Sequence, residues 1–449
     1  MRPPAVTMLA AMGRGLLALA ATLLAATLAA DTAVAKRGPC TEGAKRPRCT
    51  IQNARTIFIA DGDTIRVRLA GRTRNIRFTG INAMELSRYS KYPSRRRGAC
   101  HGLEATSFVE RAVKRSRWKV RLVAQKLSSR AEKRLRRSVW VKQGGRWRDL
   151  AKLELQAGLA LWLPNHVENA HNREYALLAQ KAAAARKGLY DPGACGAGPD
   201  QDLPITVTVN WDADGNDAGN LNGEWVDIHN GGGRELRLGG WWVRDSFLRF
   251  GQDRTPGYRL PGSTVVPPGE TLRLRVGCGA AYALTQHWCL KESAFENVSS
   301  GFGTMGDGAY LFDPQGDLRA WEIYPCLVAC SDPLAGKVAL SVQPRGRESI
   351  SIANTSGGPV DLGGHVLKLH NAGKPDQFVF GYPFKLGTVL QAGETMAIDP
   401  GGDPGDDTRL LRHVGRGTFV LADGKGVVSL RTTDDLVTEC QDWGVASCR

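Results

Sequence analysis

Three carboxylates and five guanidinium groups crowd one stretch of this chain, Ile57 to Leu86, which reads IFIADGDTIRVRLAGRTRNIRFTGINAMEL. Asp61 and Asp63 sit in an Asp-Gly-Asp-Thr corner, and Glu85 closes an Asn-Ala-Met-Glu corner. Hard divalent cations take carboxylate and carbonyl oxygens. A carboxylate left uncoordinated can accept a proton from water, and a guanidinium grips a phosphate through paired hydrogen bonds. Carboxylates inside a strongly basic segment therefore suit metal-assisted cleavage of a polyanion. Taken alone, the stretch also reads as a DG turn with ordinary surface charges.

The elements that must position these groups are legible. Ile65, Val67 and Leu69 alternate with Arg66 and Arg68, the period of a half-buried strand. Gly71 breaks the run, and Ile76 and Phe78 resume it around Arg77. Two neighbouring strands can thus bring Asp63, Arg77 and Glu85 towards one place.

The wider pattern resembles the staphylococcal nuclease (thermonuclease) family. That family carries DGDT, then an Arg-containing strand running into an acidic corner, and later a basic loop with a second Arg. The matching residues here are Asp61 to Thr64, Ile76 to Glu85, and Glu132-Lys133-Arg134-Leu135-Arg136. The resemblance covers about Arg55 to Tyr190 and implies an OB-fold barrel with flanking helices that hydrolyses DNA or RNA with Ca2+. It implies that Asp63 is a metal ligand, with Asn82 and the backbone carbonyl of Ala83 beside it. By the same resemblance Glu85 activates or orients the attacking water, and Arg77 and Arg136 bind phosphate and stabilise the transition state. Three departures stand out: Asn82 replaces a metal aspartate, Met84 replaces a Pro, and Arg134-Leu135 replaces a Tyr-Gly pair. An amide oxygen still coordinates, so the expectation is weaker metal binding. The choice of Arg136 over Arg134 or Arg137 stays open.

Charge divides the chain. Residues 36–196 hold 36 Lys and Arg against 12 Asp and Glu, whereas residues 197–449 hold 22 against 31. A basic half of this kind concentrates a polyanion at its surface with steep salt dependence. Nucleic acid is the expected partner, because the cations run through the segment that holds the carboxylates. Arg95, Arg96, Arg97, Lys133, Arg134 and Arg137 are the expected phosphate contacts.

Residues 1–35 read as a signal peptide: Arg2 and Arg14, an apolar run from Leu16 to Ala30, then Ala33-Val34-Ala35. That run is short for a membrane span, so the expected localisation is secreted, with no stable membrane insertion. Ten cysteines fit an oxidising compartment. Cys40 and Cys49, Cys278 and Cys289, Cys326 and Cys330, and Cys440 and Cys448 are close neighbours; Cys100 and Cys195 are left over. Spacing for zinc is absent and disulfides are expected, with the connectivity open.

Beyond the acidic corner, the apolar spacing from Leu103 to Lys114 predicts a helix and Trp118 to Leu122 a strand. Arg130 to Arg137 reads as a basic loop, followed by a strand to Gln143 and a Gly144-Gly145 turn. Helices are expected near Leu150 to Ala157 and Asn172 to Lys187. His101, His166 and His171 read as packed or surface histidines, because no nucleophile motif accompanies them.

A Gly-rich linker at 193–204 leads into Gly, Pro, Asp and short apolar alternations, the mark of all-β sandwiches. The pattern repeats. Glu224-Trp225-Val226-Asp227-Ile228-His229-Asn230 answers Glu348-Ser349-Ile350-Ser351-Ile352-Ala353-Asn354, and Pro268-Gly269-Glu270-Thr271 answers Ala392-Gly393-Glu394-Thr395. Residues 205–332 resemble a lamin-tail domain, and 336–448 a second, diverged copy; the resemblance implies binding or positioning rather than chemistry. Asp212 to Asp217 lacks the Gly and Glu of an EF-hand loop and reads as an Asx-rich hairpin.

The expected architecture is therefore multidomain. A Cys-containing lead-in (36–54) precedes an OB-fold β-barrel with helices (55–192, α+β), and two immunoglobulin-like all-β sandwiches follow. The expected function is a secreted, calcium-dependent nuclease. The competing expectation is a catalytically degenerate protein on the same fold that binds nucleic acid or a cell surface, with Asn82 as its chief support.

Overall fold

The alternation of Ile65, Val67 and Leu69 with two arginines decides the first domain: the apolar set is buried and Arg66 and Arg68 are exposed. Each such side chain withdrawn from water contributes about 1.5–3 kcal/mol. In the computed structural model, residues 35–86, 100–193, 203–213, 217–247, 257–298, 305–371, 374–385, 387–416, 420–444 and 448 are described. The expected signal segment through residue 34, Arg95 to Arg97 and Cys195 lie outside them.

β1 (Lys36–Pro39) and the long β2 (Arg48–Ile59) form a hairpin, and β3 (Thr64–Leu69), β4 (Arg72–Phe78) and the short β5 (Ile81–Ala83) follow. After helix α1 (Gly102–Arg115) come β6 (Lys119–Ala124), β7 (Arg130–Ala131), β8 (Arg134–Gln143) and β9 (Arg146–Asp149). Helices α2 (Leu150–Gln156) and α3 (Asn172–Ala184) flank β10 (Ala160–Trp162). The order β2-β3-β4-β8-β6, with β6 returning to β2, closes a five-stranded barrel of OB-like type. Ile65, Val67, Ile76, Phe78, Leu122, Val139 and Val141 fill it, and α1 seals it with Ala105, Val109 and Val113.

Two local expectations shift. The strand foreseen from Trp118 begins at Lys119, because Arg117 and Trp118 both take positive φ (55° and 62°) as the chain leaves α1. The basic loop foreseen over Arg130 to Arg137 is a tight hairpin: Arg130 and Ala131 pair with Leu135 and Arg134, leaving Glu132 (φ 53°) and Lys133 as its tip. The Gly144-Gly145 turn stands as read, with both residues at positive φ, the geometry a two-residue hairpin requires.

The described remainder forms two groups of β-sheets of matching layout, compatible with two sandwiches. In the first, Ile205–Asn210, Trp225–Asn230, Thr271–Arg275 and Thr285–His287 form one sheet, and Tyr258–Arg259, Trp242–Arg244, Asp307–Phe312 and Leu318–Tyr324 the other. In the second, the corresponding sheets are Val338–Gln343, Ser349–Asn354, Thr395–Asp399 and Leu411–His413, and Lys374–Pro383, His365–Asn371, Gly426–Thr432 and Val437–Trp443. The repeated motif has a physical reason. Asn230 donates to the carbonyls of Arg234 (2.7 Å) and Val266 (3.0 Å), and Asn354 does the same to Gly358 (2.8 Å) and Leu390 (3.0 Å). Buried Glu224 accepts from the Ala294 N–H, and Glu348 from those of Val420 and Leu421. Each pair ties a central strand to its neighbouring loops.

Disulfides link Cys40–Cys49, Cys278–Cys289, Cys326–Cys330 and Cys440–Cys448, a usage that suits an oxidising compartment. Among the described residues no helix is long and apolar enough to cross a membrane.

Candidate active site

Asp63 is the hinge of the site. The 60–64 corner is held by the Ala60 N–H on the Thr64 carbonyl (2.9 Å), and Asp61 accepts from the Asp63 N–H (3.0 Å). Asp63 is 1% exposed. One of its carboxylate oxygens accepts from the Arg77 guanidinium and from the Thr64 hydroxyl (2.9 Å), and the other accepts from the Ala83 N–H (2.9 Å). Because β3 pairs with β4, Thr64 lies opposite Arg77, so the corner and the guanidinium meet by register.

Glu85 arrives from the end of β5. Burial pushes its carboxyl above the usual range, and Asp63 adds to this, while Arg77, Arg244 and Arg134 pull it back. Asp61 is raised to about 7 by burial, then by Asp63 and Glu85. Asp63 and Glu85 thus both lie near enough to Asp61 to disfavour its charge. β4 and β8 run parallel with Arg77 beside Arg136, and burial together with Arg77 lowers the Arg136 pKa. Arg134, two residues earlier on the same strand, donates to Thr64 Oγ1 (3.2 Å). Asp63, Arg77, Glu85 and Arg136 are therefore brought together, and Arg134 joins them. Arg137 faces inward and donates to the carbonyls of Leu127 (2.7 Å) and Ser129 (3.2 Å), shaping the hairpin base, while Lys133 is exposed at its tip.

Asn82 departs most from expectation. Its Nδ2 donates to the carbonyl of Ser246 (3.0 Å), a residue of the first sandwich, and its Oδ1 is buried without a partner. The Ser246 carbonyl also accepts from Arg244 (3.2 Å), whose buried guanidinium further bonds the Asp245 and Phe247 carbonyls. The sandwich is thus a wall of the site. An aspartate at position 82 would set carboxylate oxygen against carbonyl oxygen. Asn82→Asp is expected to cost about 1–3 kcal/mol, the penalty of an unmade buried hydrogen bond, read as a lower urea midpoint of the whole chain. Asp61, Asp63, Glu85 and the partnerless Asn82 Oδ1 are oxygen groups of the kind a hard cation such as Ca2+ takes. Both Asp63 oxygens, however, already accept hydrogen bonds, and the three carboxylates do not bring ligand oxygens within 4.8 Å of one another.

Glu154, on α2, was not singled out from the sequence. It is 0% exposed, both carboxyl oxygens lack partners, and burial, then Asp63 and Asp61, push its pKa well above normal. A carboxyl with a raised folded pKa is least costly below its unfolded value, and its cost grows as pH climbs towards the folded value. Glu154→Leu is expected to stabilise the chain by about 1–3 kcal/mol, with the gain widening above about pH 4.5. Thermal melts across pH check both signs.

Two other clusters carry no chemistry. Ser138 Oγ lies 3.0 Å from His171 Nε2 and donates to Asp149 (3.3 Å), a triad-like set. All three are buried, burial holds His171 down at about 4, and Asp149 caps α2 through the Ala151 N–H. The set fastens a helix start. Cys100, His101 and Asp317 also converge, but Cys100 is disulfide-bonded and its sulfur is no thiolate ligand.

Residues 201–325 match the family model of the lamin tail domain, which assigns the first sandwich. No curated protein matches the chain.

Proposed function

We propose that this protein hydrolyses phosphodiester bonds of DNA or RNA with the aid of a divalent cation, most simply Ca2+. The observation that carries the reading is the convergence of Asp63, Arg77 and Glu85 on one rim of a small barrel within a segment of high positive charge. Glu85, with its raised pKa, accepts the proton of a water whose oxygen forms the new bond to phosphorus. The P–O bond to the leaving nucleoside breaks, and its oxygen is protonated from solvent. Arg77, Arg134 and Arg136 offer guanidinium groups to the charge that builds on the phosphoryl oxygens. A cation held by Asp63 and Asn82 would supply further neutralisation of that charge.

The wall built from Arg244 and Ser246 makes the barrel and the first sandwich one working unit in this reading. A second reading rests on Asn82: one carboxylate fewer weakens a cation site, and a protein that binds nucleic acid without cutting it would result. Plasmid and single-stranded substrates incubated with the full chain, in calcium and then in chelator, separate the two. Calcium-dependent cutting supports the hydrolase; tight binding with intact substrate under both conditions supports the binder.

A further inference from the structure

Polar contacts join the two sandwiches. Trp211 donates to the Thr433 carbonyl (2.8 Å), Lys368 pairs with Asp212 (3.1 Å), and the Cys326 N–H meets the Asp434 carbonyl (2.7 Å). Between them lies a cleft of about 660 Å³. Arg273 and Arg275 line it from the first sandwich, and Lys385 and Arg412 from the second. This is a local concentration of cations in a half of the chain where acidic residues outnumber basic ones, 31 to 22.

The cations are built in. Arg273 makes a two-pronged pair with Asp227 (2.8 Å each) and lies 3.8 Å over the Trp225 ring. Arg275 projects from the same face of the same strand, is held by the Asn222 carbonyl, and has its pKa lowered by burial and then by Arg273. Asp227 matches the charge of Arg273, so Arg275, Lys385 and Arg412 are the lining cations an anion would meet. Across the cleft, the one lining carboxylate, Asp407, is engaged by the His413 N–H (2.7 Å) and the Tyr382 hydroxyl (3.4 Å). Tyr382 places an aromatic ring among these cations.

We propose that this cleft binds a short single-stranded oligonucleotide, its phosphates on Arg275, Lys385 and Arg412 and a base against Tyr382. Cations that track a backbone beside an aromatic platform are the chemistry by which single strands are held, and the volume is that of a small-ligand site. The cleft lies on the sandwiches, away from the barrel carboxylates, so the inference goes beyond the catalytic reading and does not depend on turnover.

The test uses the full chain carrying Glu85→Gln, which leaves a strand intact, and a decamer containing 4-thiouridine. After irradiation in chelator, cross-linked peptides are mapped by mass spectrometry. The expected result is a cross-link within the peptide bearing Tyr382. Adding Arg275→Ala with Arg412→Ala should lower its yield by about tenfold or more, with barrel cross-links unchanged. Lys385→Glu, at an exposed position, gives the same reading should the double variant fail to fold. Cross-links confined to the barrel would overturn the proposal. So would an unchanged yield in Lys385→Glu, or displacement by dextran sulfate as effective as by unlabelled decamer.

Discussion

Glu85→Gln is expected to slow phosphodiester cleavage by about 10²- to 10⁴-fold, the contribution of a positioned general base. The amide keeps the size and the hydrogen-bonding reach of the carboxylate but cannot take a proton from water. Binding of uncut nucleic acid should stay within about twofold, because the change removes an interaction made in the transition state. The pH profile gives a second handle. Burial, then Asp63, raises the Glu85 pKa, and only its ionised form can act. Cleavage should therefore climb with pH through that raised value, and the climb should vanish in the variant. Single-turnover cutting of a labelled strand between about pH 5 and about pH 9 measures both. An unaltered rate would remove Glu85 from the chemistry.

Asp63→Ala is expected to destabilise the chain by about 3–5 kcal/mol, the cost of breaking a buried ion pair from one side. Arg77 would stay buried without its carboxylate, and the Thr64 hydroxyl and Ala83 N–H would lose their acceptor. The midpoint of urea unfolding reports the loss. In a double-mutant cycle with Arg77→Met, the combined change should cost less than the sum of the two, because the second substitution removes the stranded charge. Calcium binding by titration calorimetry should fall in Asp63→Ala. Strictly additive stabilities would show that the two groups act separately.

What could be read ahead of the coordinates was what lies close in sequence. Asp63 precedes β3, Arg77 lies on β4 and Glu85 follows β5, all within 23 residues of chain, so the period-two pattern and the corner at 61–64 pointed them towards one place. The paired motifs at Asn230 and Asn354 were equally visible, since each binds loops within its own sandwich. Longer reach hid the rest. The partner of Asn82 is a main-chain carbonyl 164 residues away, and a carbonyl carries no side-chain signature. Arg244, at the end of a short strand, belongs to no motif that would mark it. Glu154 stood in an apolar run, LAKLELQ, where a lone acid reads as a solvent-facing position; α2 instead turns it inward beneath Asp61 and Asp63. The choice among Arg134, Arg136 and Arg137 turned on the register of β8 against β4. Alternation then sends Arg134 and Arg136 to the site and Arg137 behind the strand.

The barrel interior does not end at the barrel. Tyr310, Phe312, Leu318 and Ile323 of the first sandwich belong to the same buried apolar cluster as Ile65, Val109 and Trp162, and the Gln180 side chain bonds the Ile323 and Pro325 carbonyls across the join. Severing the chain in the 193–204 segment would leave two raw oily faces in water, each inviting clumping. Heating the intact molecule should melt both modules in one calorimetric peak, and a change as remote as Phe312→Ala should blunt cutting at Glu85 by loosening the wall that faces it.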